Sequence, residues 1–72
     1  FGLQRAFKKA GVQTIIMSLW KVDDQATSLM METFYENLLN GKSKKQSFLI
    51  AQRTVKDKFP NPYYWASFIM LD

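Results

Sequence analysis

The chain contains no cysteine and no histidine among its 72 residues. Without these residue types, no disulfide, no Cys/His zinc site and no Cys–His or Ser–His catalytic pair can form within it. The common nucleophilic hydrolase centres are therefore excluded, and we expect neither a metal nor a cofactor. The absence of cysteine also fits a reducing compartment, so we expect a cytoplasmic location.

Long apolar runs are absent as well. Uninterrupted runs such as residues 15–17 and 68–71 span only three and four residues, whereas a membrane-spanning helix needs about 20 predominantly apolar residues. We therefore expect no membrane partner.

The content of core-forming residues is high for so short a chain. Hydrophobic residues make up 47% and aromatic residues 15%, yet a chain of this size buries only about 60% of its unfolded surface. The first residue is Phe1, and no start or leader signal precedes the first apolar stripe. We expect an obligate homo-oligomer or, as this start favours, a piece of a larger domain.

Positive charge exceeds negative charge, with ten Lys and Arg against six Asp and Glu. Six of the cations form two clusters, namely Arg5, Lys8 and Lys9, then Lys42, Lys44 and Lys45. A few like charges at a helix start mostly provide solubility, and the aromatic residues have the spacing of core positions rather than of a nucleic-acid surface. Solvation is the favoured interpretation, and nucleic acid is the less favoured partner.

The spacing of apolar residues predicts an α/β fold with the order helix, strand, helix, helix, strand. An apolar stripe in residues 3–10 predicts a short helix that ends at Gly11. Residues 12–20 are rich in β-branched and aromatic side chains and predict a strand buried on both faces. Residues 63–71 predict a second strand.

Two helices are predicted between these strands. The apolar stripe of the first helix is wide enough that we expect it to be covered on more than one side; its members are Ala26, Leu29, Met30, Met31, Phe34, Tyr35, Leu38 and Leu39. Gly41 ends that helix, and Ser43 with Gln46 has the form of a capping box that starts the next. Because two antiparallel helices return the chain to the opposite end of a sheet, neighbouring strands would run antiparallel.

Two blocks of sequence are distinctive, SLWKVDD at residues 18–24 and PYYWA at residues 62–66. Together with GLQRAF at residues 2–7 and AGV at residues 10–12, they closely resemble the C-terminal part of CHAT domains. These are caspase-like domains that are commonly fused to tetratricopeptide repeats. The resemblance covers essentially the whole chain, in order and without gaps.

The resemblance implies the C-terminal part of a caspase-like α/β sandwich, so that residues 1–72 form a C-terminal fragment of a CHAT domain. In that family the catalytic histidine and cysteine lie upstream of this segment. The chain would then supply scaffold, a dimerisation edge and part of a substrate pocket to a cysteine endopeptidase, and would be inactive alone. Its implied partners are the rest of the domain, the repeats and a protein or peptide substrate. A non-catalytic protein–protein interaction module remains the alternative.

Asp23 and Asp24 are the polar residues of greatest interest, because they follow a buried strand, where α/β sheets bind ligands. One of them suffices to cap the next helix. Residues 20–24 also resemble the Trp-x-Val-x-Asp run of separases, whose last carboxylate receives the basic side chain before the cut bond; by position that role falls to Asp24. Capping alone and a basic-residue pocket both stay open.

The aromatic residues beside these carboxylates allow two interpretations. Trp20 would form a wall of the pocket or would belong to the core, and core packing is favoured. Tyr63, Tyr64 and Trp65 are interpreted as packing at the start of the second strand rather than as an exposed recognition cluster.

Overall fold

The structure, a computed structural model, describes residues 14–71. Within them lie two strands and three helices: β1 (Ile15–Ser18), α1 (Asp24–Leu39), α2 (Lys44–Lys58), α3 (Pro62–Trp65) and β2 (Phe68–Leu71). The α/β class is confirmed. The helix predicted at residues 3–10 lies outside the described residues.

The two strands form one antiparallel pair, as the two-helix connection predicted. The register places Ile15 opposite Leu71, Ile16 opposite Met70, Met17 opposite Ile69 and Ser18 opposite Phe68. β1 ends at Ser18, two residues before the end of the predicted strand, although the Leu19 N–H still donates to the Ser67 carbonyl at 2.9 Å. Residues 12 and 13 of the predicted strand lie outside the described residues.

Local signals set the ends of the long helices. Gly41 follows the end of α1 with a φ of 91°, a left-handed conformation that suits glycine. The capping box of α2 is present, with the Gln46 N–H donating to Ser43 Oγ at 3.1 Å and the Ser43 N–H donating to Gln46 Oε1 at 3.3 Å. Both features confirm the sequence prediction.

The core lies where α1 packs against α2 and β2. Met30 of α1 and Val55 of α2 are fully buried within it, together with Val22, Ala26, Phe34, Ala51 and Phe68. The inner half of the wide α1 stripe is therefore covered as predicted. The expectation of cover on a second side is wrong for the described residues, because Tyr35 is 51% exposed and Leu39 is 86% exposed.

The predicted strand over residues 63–71 is wrong for residues 63–67, where the chain forms the short helix α3 and then a turn. Pro62 occupies the first helical position with a preset φ, and Asn61 Oδ1 accepts the Tyr63 N–H at 3.0 Å. Trp65 then ties this turn to the chain before it by donating Nε1–H to the Pro60 carbonyl at 3.0 Å. The cap and the proline outweigh the β preference of three aromatic residues.

The three helices in residues 14–71 are all too short or too polar to cross a lipid bilayer.

Candidate functional site

A surface cavity lies where the chain passes from the end of β1 into α1. It measures about 380 Å³ and is lined by Lys21, Val22, Asp23, Asp24, Tyr63 and Tyr64. The cavity therefore joins the loop after the first strand to the short helix before the second. Because the strands are antiparallel, this end of the sheet is the carboxyl end of β1 and the amino end of β2.

Asp23 is the N-cap of α1. Its Oδ2 accepts the N–H of Gln25 at 2.9 Å and that of Ala26 at 3.3 Å, and its carbonyl accepts the Thr27 hydroxyl at 3.1 Å. These bonds satisfy backbone donors that the first helical turn otherwise leaves unpaired. The Asp23 carboxylate is thus engaged in capping α1.

Asp24 is the first residue of α1 and is exposed. Its carboxylate has no hydrogen-bond or ion-pair partner within residues 14–71. It also borders a second cavity of about 380 Å³ on the other side of the helix start, with Gln25, Ser28, Leu29, Glu32 and Lys58. Asp24 is therefore the carboxylate of the pair that stays available to a ligand.

Tyr63 is held against the loop after β1 by two long-range hydrogen bonds. Its hydroxyl donates to the Lys21 carbonyl at 2.6 Å, and its own carbonyl accepts the Trp20 Nε1–H at 3.0 Å. The bonded residues are 42 and 43 positions apart in sequence. The two segments that form the cavity are therefore held together by side chains that donate to main-chain carbonyls of the other segment.

Tyr64 completes the aromatic side of the cavity. Its ring stacks on Phe59 with centroids 4.9 Å apart and meets the Tyr63 ring edge-on at 5.4 Å. These contacts restrict the Tyr64 ring. Its side chain therefore loses little further conformational entropy when a ligand binds against it.

The structure brings Asp23 and Asp24 into one cavity, but Trp20 does not line it. The Trp20 ring is 38% exposed, lies 6.3 Å from the Tyr63 ring and is not among the cavity-lining residues. Its link to the cavity is the hydrogen bond that its Nε1–H donates to the Tyr63 carbonyl. Sequence reasoning missed Tyr63 and Tyr64 as lining residues; the Asn61–Pro62 cap, which is a helix-start signal, would have shown that they lie on a helical turn.

The chemistry of this cavity suits a cationic ligand. It offers two carboxylates and two phenol rings next to one lysine, and the chain has no thiol or imidazole. A carboxylate beside aromatic faces is a common arrangement for a cationic group with an alkyl stem.

Comparison with known proteins gives the family. The family model described as the CHAT domain matches residues 1–72, so the chain belongs to the CHAT domain family. It is also similar to tetratricopeptide repeat protein 28 of Homo sapiens and of Mus musculus, each 35% identical over 71 residues. Those alignments cover 96% of this chain and 3% of each relative, so the chain spans a small part of their length. No solved structure matches it significantly.

Proposed function

We propose that this chain is the scaffold and part of the substrate pocket of a caspase-like cysteine endopeptidase domain, with Asp24 receiving a Lys or Arg side chain. The observation that supports this most directly is the division of roles between neighbouring carboxylates. Asp23 caps α1 by itself, and Asp24 borders the same cavity without a partner among the described residues.

The size and lining of the cavity suit a basic side chain. The alkyl stem of Lys or Arg would pack on the rings of Tyr63 and Tyr64, as long cationic side chains do on aromatic surfaces. The cation would then meet Asp24 in a charge-assisted hydrogen bond. The two carboxylates together carry about two negative charges. This exceeds the sum of the Lys21 charge and the partial positive charge of the α1 N-terminus, which is about half an elementary charge.

The chain alone would bind such a group and would not cleave a bond, because it has neither a thiol nucleophile nor an imidazole base. The purified 72-residue chain is therefore expected to leave fluorogenic Arg and Lys peptides intact. Cleavage that exceeds that of a mock purification and persists through further purification would contradict this assignment.

The pocket role is tested in the complete protein that contains this segment, with Asp24→Asn. The bound substrate would cover the pair of its cation with Asp24, and losing one partner of such a buried charge pair typically costs about 2 to 5 kcal/mol. The value of kcat/KM for Arg or Lys substrates should therefore fall by at least about 30-fold. Unfolding temperature should change little, since Asp23 continues to cap the helix.

Asp23→Asn is the matched control, because it removes a charge from the adjacent position. Asn also caps helices well, so stability should be nearly retained, and the preference for basic substrates should survive. If Asp24→Asn loses activity equally on basic and neutral substrates, Asp24 does not recognise the basic side chain. It is then only a first-turn carboxylate that interacts favourably with the helix dipole.

A non-catalytic interaction module is the alternative, and the repeat-protein relatives favour keeping it. The two proposals predict different residues in the sequence before Phe1. A cysteine and a histidine at the family's catalytic positions would support the peptidase, and their absence would support the interaction module.

A further inference from the structure

Trp20 lies beside the candidate site without lining it. It follows β1 by two residues, its side chain is 38% exposed, and it does not belong to the core of the described residues. Burial therefore accounts for little of its role, since apolar stabilisation grows with the area removed from water. The contact that it makes is directed instead, because its Nε1–H donates to the Tyr63 carbonyl at 3.0 Å.

Tyr63 is held at both ends by one short stretch of chain. Its carbonyl accepts the bond from Trp20, and its hydroxyl donates to the carbonyl of Lys21 at 2.6 Å. Trp20 and Lys21 are consecutive residues. A single hydrogen bond would let Tyr63 turn about that contact, whereas bonds at its backbone and at the tip of its ring fix both the place and the direction of the ring.

That stretch is in turn fixed relative to Asp24. On one side of it, the Leu19 N–H bonds to the main chain before β2. On the other side, Val22 is buried and Asp23 caps α1. Because the loop is fixed on both sides, the two bonds to Tyr63 set the separation between the Tyr63 ring and Asp24, which line the same cavity.

We propose that Trp20 is a positioning residue for this cavity: its indole hydrogen bond holds the Tyr63 ring where the stem of a Lys or Arg side chain packs while the cation meets Asp24. This role rests on the proposed function. Trp20 itself does not touch the ligand. A ring that is already held loses less conformational entropy on binding, so the bond from Trp20 raises the affinity for the basic group.

Trp65 makes the same kind of bond without this role. Its Nε1–H also donates to a backbone carbonyl at 3.0 Å, but the acceptor is Pro60, on the segment just before α3. Neither Trp65 nor Pro60 lines the cavity. Of these two indole bonds, only that of Trp20 joins the loop after β1 to the helix that carries the tyrosines.

Nuclear magnetic resonance titration of the 72-residue chain with N-acetyl-arginine methylamide tests this role. Trp20→Phe removes the donor and keeps an aromatic ring. The ligand must then order Tyr63 as it binds, and ordering one such side chain should raise Kd by about two- to tenfold. Nuclear Overhauser effects between the side-chain CH2 protons of the ligand and the Tyr63 ring should weaken as well, which a loss of stability alone does not cause in a folded variant.

Trp65→Phe is the matched control, because it removes one indole donor from the same corner of the molecule. It should lower the free energy of unfolding to a similar extent, but its Kd and its Overhauser effects to Tyr63 should stay as in the unaltered chain. Circular dichroism verifies that both variants are folded during the titration. If Trp20→Phe does not fold, 3-benzothienylalanine at position 20, introduced by chemical synthesis, removes the donor alone, since sulfur replaces the N–H of an otherwise equal ring system.

Two results would overturn the positioning role. One is a Kd in folded Trp20→Phe equal to that of the unaltered chain. The other is an equal rise of Kd in Trp20→Phe and Trp65→Phe, which would reflect a general loosening of the corner.

Asp24→Asn keeps this role separate from the proposed pocket. If that variant binds the arginine compound as tightly as the unaltered chain does, the pocket itself is wrong. If Asp24→Asn loses binding while Trp20→Phe retains it, only the positioning role of Trp20 fails.

Discussion

The α1–α2 hairpin and the corner formed by residues 19–23 with residues 61–67 are held together by different forces. The hairpin buries Met30 against Val55 and Ala51. In the corner only Val22 and Ser67 are buried, and aromatic side chains join its two segments by donating to backbone carbonyls, as Trp20 and Tyr63 do. Apolar burial therefore provides the stability of the molecule, and directed hydrogen bonds shape its cavity.

This difference has a consequence for function. A buried methionine contributes to stability but cannot meet a ligand, whereas Tyr63 is 49% exposed and still fixed in position. A rigid side chain with a free face loses little entropy on binding. The corner is consequently the part of the molecule suited to recognition.

The largest loss of stability should come from truncating a side chain in the core of the hairpin. Met30→Ala removes a fully buried side chain and should lower the free energy of unfolding by about 2 to 5 kcal/mol, measured by urea denaturation. Met31→Ala removes the same atoms from a half-buried neighbour and should cost at least about 1 kcal/mol less. Equal losses would show that the hairpin does not depend on this core.

A smaller effect is expected in the corner. Tyr63→Phe removes the hydrogen bond to the Lys21 carbonyl and should cost about 1 kcal/mol, with faster amide hydrogen exchange around residues 19–22. Tyr35→Phe is the control, because Tyr35 is 51% exposed and its hydroxyl has no partner among residues 14–71. If both variants behave alike, the Tyr63 bond does not hold the corner.

The last effect, of similar size to that of Tyr63→Phe, should have the opposite sign. Ser47 is fully buried in α2, and its hydroxyl has no partner among the described residues. Ser47→Ala should therefore raise the free energy of unfolding by about 1 kcal/mol. Ser28→Ala, on the exposed side of α1, should gain only about half as much from helix propensity. A loss of stability in Ser47→Ala would indicate that its hydroxyl is hydrogen-bonded in solution.

The hairpin was predictable from the sequence because its signals are local. Gly41 and the pair of Ser43 and Gln46 act within one turn of their helices, and the stripe of Ala26, Met30 and Phe34 follows from the helix period. The corner was not predictable in the same way. Nothing near Trp20 indicates that its indole bonds to a carbonyl 43 residues away.

The sequence by itself determined that the chain has no thiol or imidazole, where α1 ends and α2 begins, and that two carboxylates follow a strand and can cap the next helix. Only the tertiary structure decided which aromatic rings lie beside those carboxylates. The reason is physical: a cap is a bond between residues two or three positions apart, whereas the cavity exists because β1 and β2 pair and bring residues 21 and 63 together.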